Sequence, residues 1–248
     1  MDPLPIPPGP VAEEVTCHVL LNGTEVASLW CSPMNLDDLA LGFLISSRII
    51  PGPASVSSIE AEPRKGAEPQ AQGEWVVRVA ADTGAPAAAG AEAGGGRAGV
   101  GARPGKPSDF SISLGALRQA AKEIMEEGPV RLKTGGVHSA GAILPTGETI
   151  LREDVSRHCA LDKVVAAVAR AMENTGGGLF ARVAFLSSGR AASELVQKMV
   201  NLGVPVFATR GIPTTSSYRL AHFSGITLVG QILSPKPVAY SGAHRVYE

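Results

Sequence analysis

Between Glu153 and Lys163, eleven residues carry seven that can hold a proton, a charge or a reactive thiol: Glu153, Asp154, Arg157, His158, Cys159, Asp162 and Lys163. The segment runs into the apolar positions Val164, Val165 and Val168 and reads as the start of a helix. On that reading Glu153 and Asp154 lie at the positive end of the helix dipole, His158 shares a face with Asp162, and Cys159 shares one with Lys163. The chemistry on offer is proton transfer by histidine near neutral pH, anion binding by Arg157 and Lys163, and attack by a thiolate at Cys159. A solvated first helical turn explains the same residues, with Arg157 paired to Asp154 three positions before it. Free cysteine also commonly serves as a small buried hydrophobe.

The elements around this run place further candidates. Upstream, Gly135 and Gly136 precede Val137 and His138, a turn that lets backbone come close to a ligand. Downstream, the apolar strand from Val183 ends in Ser187, Ser188, Gly189 and Arg190 before a helix. That arrangement offers free amides and a guanidinium to a phosphate or carboxylate. A third unit, Val204 to Ser217, ends in a turn holding Pro213, Thr214 and Thr215, and its helix leads to the strand Ile226 to Leu233. Ligands of open α/β sheets bind where such strand ends meet. His138 and His158 are equally explained as structural histidines, Glu194 and Lys198 as a helix surface pair, and the threonines as local backbone partners.

The three cysteines, Cys17, Cys31 and Cys159, and five histidines have no zinc-type spacing, so no metal site is expected. Cys17 and Cys31 fall on the two strands of a hairpin turned by Asn22 and Gly23. A low cysteine count and the lack of a signal peptide point to packed thiols in a reducing compartment, the cytoplasm. A formal net charge of -1 gives no basic field for nucleic acid, and no apolar run approaches the roughly 20 residues of a membrane span.

The segments TGGVH, EDVSRHCALDK, SSGRAASELVQK and GITLVG, in this order, resemble the formate dehydrogenase accessory proteins called FdhD. The opening Glu13 to Ile50, a hairpin followed by an acidic, leucine-rich helix, is similar to the start of that family. The resemblance implies an α/β fold with a cytidine-deaminase-like three-layer C-terminal lobe and a smaller N-terminal β-rich lobe. It implies a sulfurtransferase that moves sulfur from a cysteine desulfurase to a molybdenum bis(molybdopterin guanine dinucleotide) cofactor bound as client. The recipient would be formate dehydrogenase or a related molybdoenzyme, and the chain would be a homodimer. Zinc deamination is not implied, since it needs H-x-E and P-C-x-x-C, and His138 is followed by Ser139 and Ala140.

The resemblance also implies a persulfide on a CxxC loop, which this chain lacks. Where the loop belongs, 19 of the 26 residues from Asp82 to Pro107 are Gly, Ala or Pro, a composition that reads as a mobile linker. Expected units are therefore a disordered arm (1–9), an N-terminal β-rich lobe (10–81), the linker (82–107) and an α/β lobe (108–248). Within the last, Gly135, Gly136, Asp154, Arg157, Lys163, Ser188, Gly189, Arg190, Thr214 and Lys236 are the candidates for holding the cofactor, with His138 and His158 near its chemistry. Cys159 stands where the family usually has Asn and is the candidate for a relocated sulfur carrier. The alternative function is a cofactor-binding chaperone or regulatory paralogue without sulfur transfer.

Overall fold

Asn22 and Gly23 adopt positive φ values of 49° and 83°, the geometry of a two-residue hairpin turn. They join β1 (Val15–Leu21) to β2 (Thr24–Cys31) in antiparallel register. Every second residue of β1 is buried, so Val15, Cys17, Val19 and Leu21 form an inward row. The computed structural model describes residues 9–64, 73–83, 109–173 and 178–248. The expected arm (1–9) and linker (82–107) therefore lie outside the described residues apart from Gly9, Asp82 and Thr83. Strands β3 (Val56–Pro63) and β4 (Glu74–Ala81) complete a four-stranded sheet in the order β2-β1-β4-β3, with β4 parallel to β1.

A second sheet has six strands. These are β6 (His138–Ile143), β7 (Thr149–Asp154), β8 (Ala184–Ser187), β9 (Val206–Thr209), β10 (Thr227–Gly230) and β11 (Val238–Ser241), in the order β11-β10-β9-β8-β6-β7. Strands β8, β9 and β10 are parallel, while β6 runs antiparallel to both β7 and β8. One face is covered by α2 (Leu114–Glu126), whose Leu117, Ala121, Ile124 and Met125 pack on Ile143, Leu186 and Val229. Helices α4 (Arg157–Met172), α5 (Ser193–Leu202) and α6 (Thr215–Ser224) bury their apolar residues in a separate cluster on the other side. A short pairing of β5 (Ile112–Ser113) with β12 (Val246–Tyr247) returns the C-terminus to the start of α2.

Helix α1 (Leu36–Ser46) joins the two sheets. It is buried almost all round, lying between the inward row of β1 and helix α4, and a single cluster of buried residues runs from Val15 through Leu39 and Leu161 to Phe207. The parts expected on either side of residues 82–107 thus share one core. The contact between α1 and α4 is close because Gly42 has no side chain: a Cβ there would lie 1.7 Å from the carbonyl oxygen of Asp162. Gly42→Ala should therefore force the helices apart and destabilise the chain by at least ~2 kcal/mol, read as a lower urea midpoint. Gly9→Ala, at a position with nothing within 4 Å, serves as the neutral control.

Candidate functional site

The run Glu153 to Lys163 is not one helix. Glu153 and Asp154 end β7, and α4 begins at Arg157. The two carboxylates do different work from the dipole role expected of them. Glu153 accepts hydrogen bonds from the amides of Val130 and Arg131 at 2.8 Å each, capping α3 (Pro129–Thr134). Asp154 is fully buried and accepts from the amide of Ser156 through Oδ1 (2.8 Å) and from the amide of Ser32 through Oδ2 (3.1 Å).

Lys163, also fully buried, donates to Asp154 Oδ2 at 2.6 Å and to the carbonyl of Ser32 at 3.1 Å. The Ser32 hydroxyl in turn accepts from the amide of Val155 at 3.1 Å. Burial pushes the Asp154 carboxyl upward, opposed by the Lys163 ammonium and by the amides of Ser156 and Ser32. This corrects two assignments: Asp154 and Lys163 support the site from beneath and have no surface with which to hold a cofactor. Arg157 does not pair with Asp154 either, and its Nε is buried without a partner. Lys198 binds Asp162 (2.6 and 2.5 Å) instead of Glu194. Removing one partner of a dry ion pair strands the other, so Lys163→Met should cost roughly 3–5 kcal/mol of stability. The double variant Asp154→Asn/Lys163→Met should recover much of that loss in denaturant titrations.

Cys159 does not suit the sulfur carrier expected of it. It is 3% exposed and donates to the carbonyl of Trp30 at 3.4 Å, and burial, reinforced by the charge of Asp154, pushes its thiol up to about 12. The nearby Lys163 ammonium is spent on Asp154, so the activation that a free cation would give is weak.

Along the same sheet edge, beyond β6, the ends of β8, β9 and β10 form a continuous ledge. The amide of Arg210 donates to Ser187 (3.0 Å), that of Thr214 to Ala191 (3.2 Å), that of Gln231 to Gly211 (3.3 Å) and that of Ile232 to Thr209 (3.1 Å). Gly189 lets the Arg157 side chain pack close, since a Cβ there would meet its Cδ at 3.1 Å. Arg190 lies on Gly211, where a Cβ would come within 2.8 Å of its Cγ. Arg190, Arg210 and Lys236 are exposed on loops at these strand ends. Ser188 bridges to β6, where its hydroxyl accepts from the amide of Ser139 (2.9 Å) and lies 3.4 Å from His138 Nδ1.

Helices α4 and α5 start at this edge with Ser156 and Ala192 as N-caps, neither giving a side-chain hydrogen bond. By contrast α2 is capped by Ser113 and α6 by Thr214, whose hydroxyl accepts from the amide of Ser217. Thr214 is thus partly committed to its own helix. Gly135 and Gly136 stand apart from the ledge: Gly135 ends α3 with φ of 68°, and Gly136 is crowded by Ala12, not by open space for a ligand. Arg210 and Arg131 were absent from the expected set. Arg210 directly follows a strand, as the Ser188–Arg190 turn does, and that position was the available signal.

His138 and His158 are half-buried, and both imidazoles have pKa values below the ordinary 6.5, first through burial and then through the Arg157 charge. The unfolded chain therefore binds protons that the folded chain resists. Stability from this source is full above pH 6.5 and falls as the pH drops below it. The variant His138→Gln/His158→Gln should show a shallower fall in Tm between about pH 7 and pH 5 than the parent, and an equal slope would assign the acid sensitivity to other groups.

The profile of the FdhD/NarQ family matches residues 12–247. The "Sulfur carrier protein FdhD" of Bordetella parapertussis is 33% identical over 245 residues, covering 95% of this chain and 87% of the relative. The protein of the same name from Cupriavidus necator is 30% identical over 259 residues, covering 98% and 85%. The crystal structure described as a formate dehydrogenase accessory protein from Desulfotalea psychrophila matches with a TM-score of 0.73 at 23% identity, covering 95% of this chain and 90% of that one. With its fold shared and its sequence matched from Ala12 to Tyr247, the chain belongs to the FdhD/NarQ family.

Proposed function

We propose that this chain is a formate dehydrogenase accessory protein that holds a guanine-nucleotide-bearing molybdopterin cofactor, molybdenum bis(molybdopterin guanine dinucleotide), while that cofactor is supplied with sulfur. The observation that carries the reading is the ledge. Two neighbouring helix N-termini lack side-chain caps, and Arg157, Arg190, Arg210 and Lys236 stand at the same sheet edge. Free amides and guanidinium groups suit a pyrophosphate, which carries several negative charges and many acceptor oxygens. In this reading Arg157 and Arg190 contact the phosphates, Lys236 adds charge at the rim, and Ser188 and Gly189, whose amides are held by Ser139 and Ser187, fix the turn that carries Arg190. His138 and His158 stand neutral beside it as hydrogen-bonding groups.

Family membership supports the rest of the reading: formate dehydrogenase as client, a cysteine desulfurase as the source of sulfur, and a homodimer in the cytoplasm. Among the described residues no helix is long and apolar enough to cross a membrane. The strand order, with α2 on one face and α4, α5 and α6 on the other, supports a cytidine-deaminase-like assignment for residues 108–248.

Guanosine diphosphate is the direct probe. Calorimetric titration should show binding that weakens about tenfold or more in Arg157→Gln and in Arg190→Gln, the loss of a charge-assisted hydrogen bond. Arg78→Gln, in an exposed pair with Glu62 on the four-stranded sheet, should bind as the parent does. Equal affinity in all four proteins would refute the ledge as the binding site.

A further inference from the structure

All of this chain's thiols are sealed in its core. The sequence contains three cysteines. Cys17 and Cys31 are 0% exposed and Cys159 is 3% exposed. In the β1–β2 register Cys17 pairs with Leu29 and Cys31 with Val15, which makes the two cysteines diagonal neighbours on the inward face. A hydrogen bond with Cys17 and burial hold the Cys31 thiol far above its ordinary range, and burial does the same at Cys159. Accepting sulfur requires a thiolate that a donor can reach, and a persulfide needs space for one further atom beyond Sγ. These three side chains sit in the shared core cluster, where packing leaves no such room without displacing neighbours.

We infer that this chain takes part in sulfur transfer without carrying sulfur covalently: the persulfide stays on a cysteine of another protein, which presents it at the ledge. The inference rests on the accessory reading above and fixes where the covalent chemistry happens. The donor persulfide, R–S–S⁻, is an anion, and the ledge offers it the exposed Arg210, beside the arginines that hold the cofactor phosphates. Ile212, 53% exposed on the loop between Arg210 and Thr214, adds an apolar contact suited to a protein donor and of little use to a small thiol. The electron balance closes away from this chain. A second thiol R′–SH attacks the inner sulfur of R–S–S⁻, giving the disulfide R–S–S–R′ and releasing the terminal sulfur as HS⁻. The thiol proton leaves with that sulfur, and the second thiol, a cysteine of the donor protein, is the two-electron reductant: it is oxidised to the disulfide as the sulfane sulfur is reduced to sulfide.

The test has two readouts. In the first, the full-length protein is incubated with a cysteine desulfurase and free cysteine, then denatured, alkylated and weighed intact. The expected mass shows three alkylated thiols and no added sulfur. In the second, the chain restores formate dehydrogenase activity in cells that lack their own accessory protein, and the Cys17→Ala, Cys31→Ala and Cys159→Ala variants, singly and combined, are compared with it. Each single variant is expected to restore activity as the parent does, and the single variants decide the matter if the combined one does not fold.

Sulfur gained by the parent and lost in one variant, together with loss of activity in that variant while its circular dichroism stays native, would overturn the inference. Activation by glutathione persulfide alone, with no desulfurase present, would overturn the protein donor. Should the parent itself fail to restore activity, the accessory reading falls, and the mass measurement still decides whether sulfur resides on this chain.

Discussion

One buried ion pair holds the site's floor. Asp154 and Lys163 together take up the amide and the carbonyl of Ser32, and the Ser32 hydroxyl takes the amide of Val155. The loop that leaves the four-stranded sheet is thereby fastened to the turn between β7 and α4. The start of α4 cannot shift without exposing a dry carboxylate or ammonium. That rigidity matters because Arg157 and His158 are the first two residues of the helix, and their aim is set by its start. A pair of this kind adds little net stability compared with apolar side chains of similar size. What it contributes is a defined position for one helix end.

A second constraint is the distance between α1 and α4. With Gly42 against the Asp162 carbonyl, the helices touch through backbone, and polar groups fill the space around the contact. Asp162 accepts from the Ser46 hydroxyl and from Lys198, while Asn201 donates to the Ser46 carbonyl at 3.0 Å. Three helices, α1, α4 and α5, are locked together at their shared seam. The amide-bearing ends of α4 and α5 thus hold a fixed relation to each other at the ledge, which is the condition for binding one ligand with both.

Local pattern in the sequence revealed what depends on local chemistry. Alternation along Val15 to Leu21, the Asn22–Gly23 turn, and the strand and helix units after Val183 were all readable, because each is decided within a few residues. The split of Glu153 to Lys163 between a strand and a helix was not, since charged residues fit either a helical first turn or a strand end. Equally hidden were the partners of Asp154, Asp162 and Glu153. Lys163 lies nine residues beyond Asp154 and meets it only because the chain turns at Val155 and Ser156. Lys198 is 36 residues from Asp162 and comes from another helix. A pattern within one helix predicts the wrong partner in both cases, as it did for Arg157 with Asp154 and for Glu194 with Lys198.

The same pairings explain how a chain with a formal net charge of -1 presents a positive ledge. Most acids near the site are already satisfied, the exception being the exposed Glu194 in the first turn of α5. Glu153 is spent on the amides of α3, Asp154 on Lys163, and Asp162 on Lys198. Asp38 is held by Arg152 and Arg170 at the far side of α4. Among the basic groups, Lys163 and Lys198 are consumed in these pairs, but Arg190, Arg210 and Lys236 stand in solvent, and Arg157 has a buried nitrogen with no acceptor. Neutralising acids in the interior leaves Glu194 as the exposed carboxylate facing the helix dipoles and the arginines at these strand ends. The attraction for an anion is therefore local and short-ranged, fading within about 8 Å at physiological salt. On the proposed reading, a field of that range would favour a ligand that places its charge on the ledge itself over a polyanion spread across the rest of the surface.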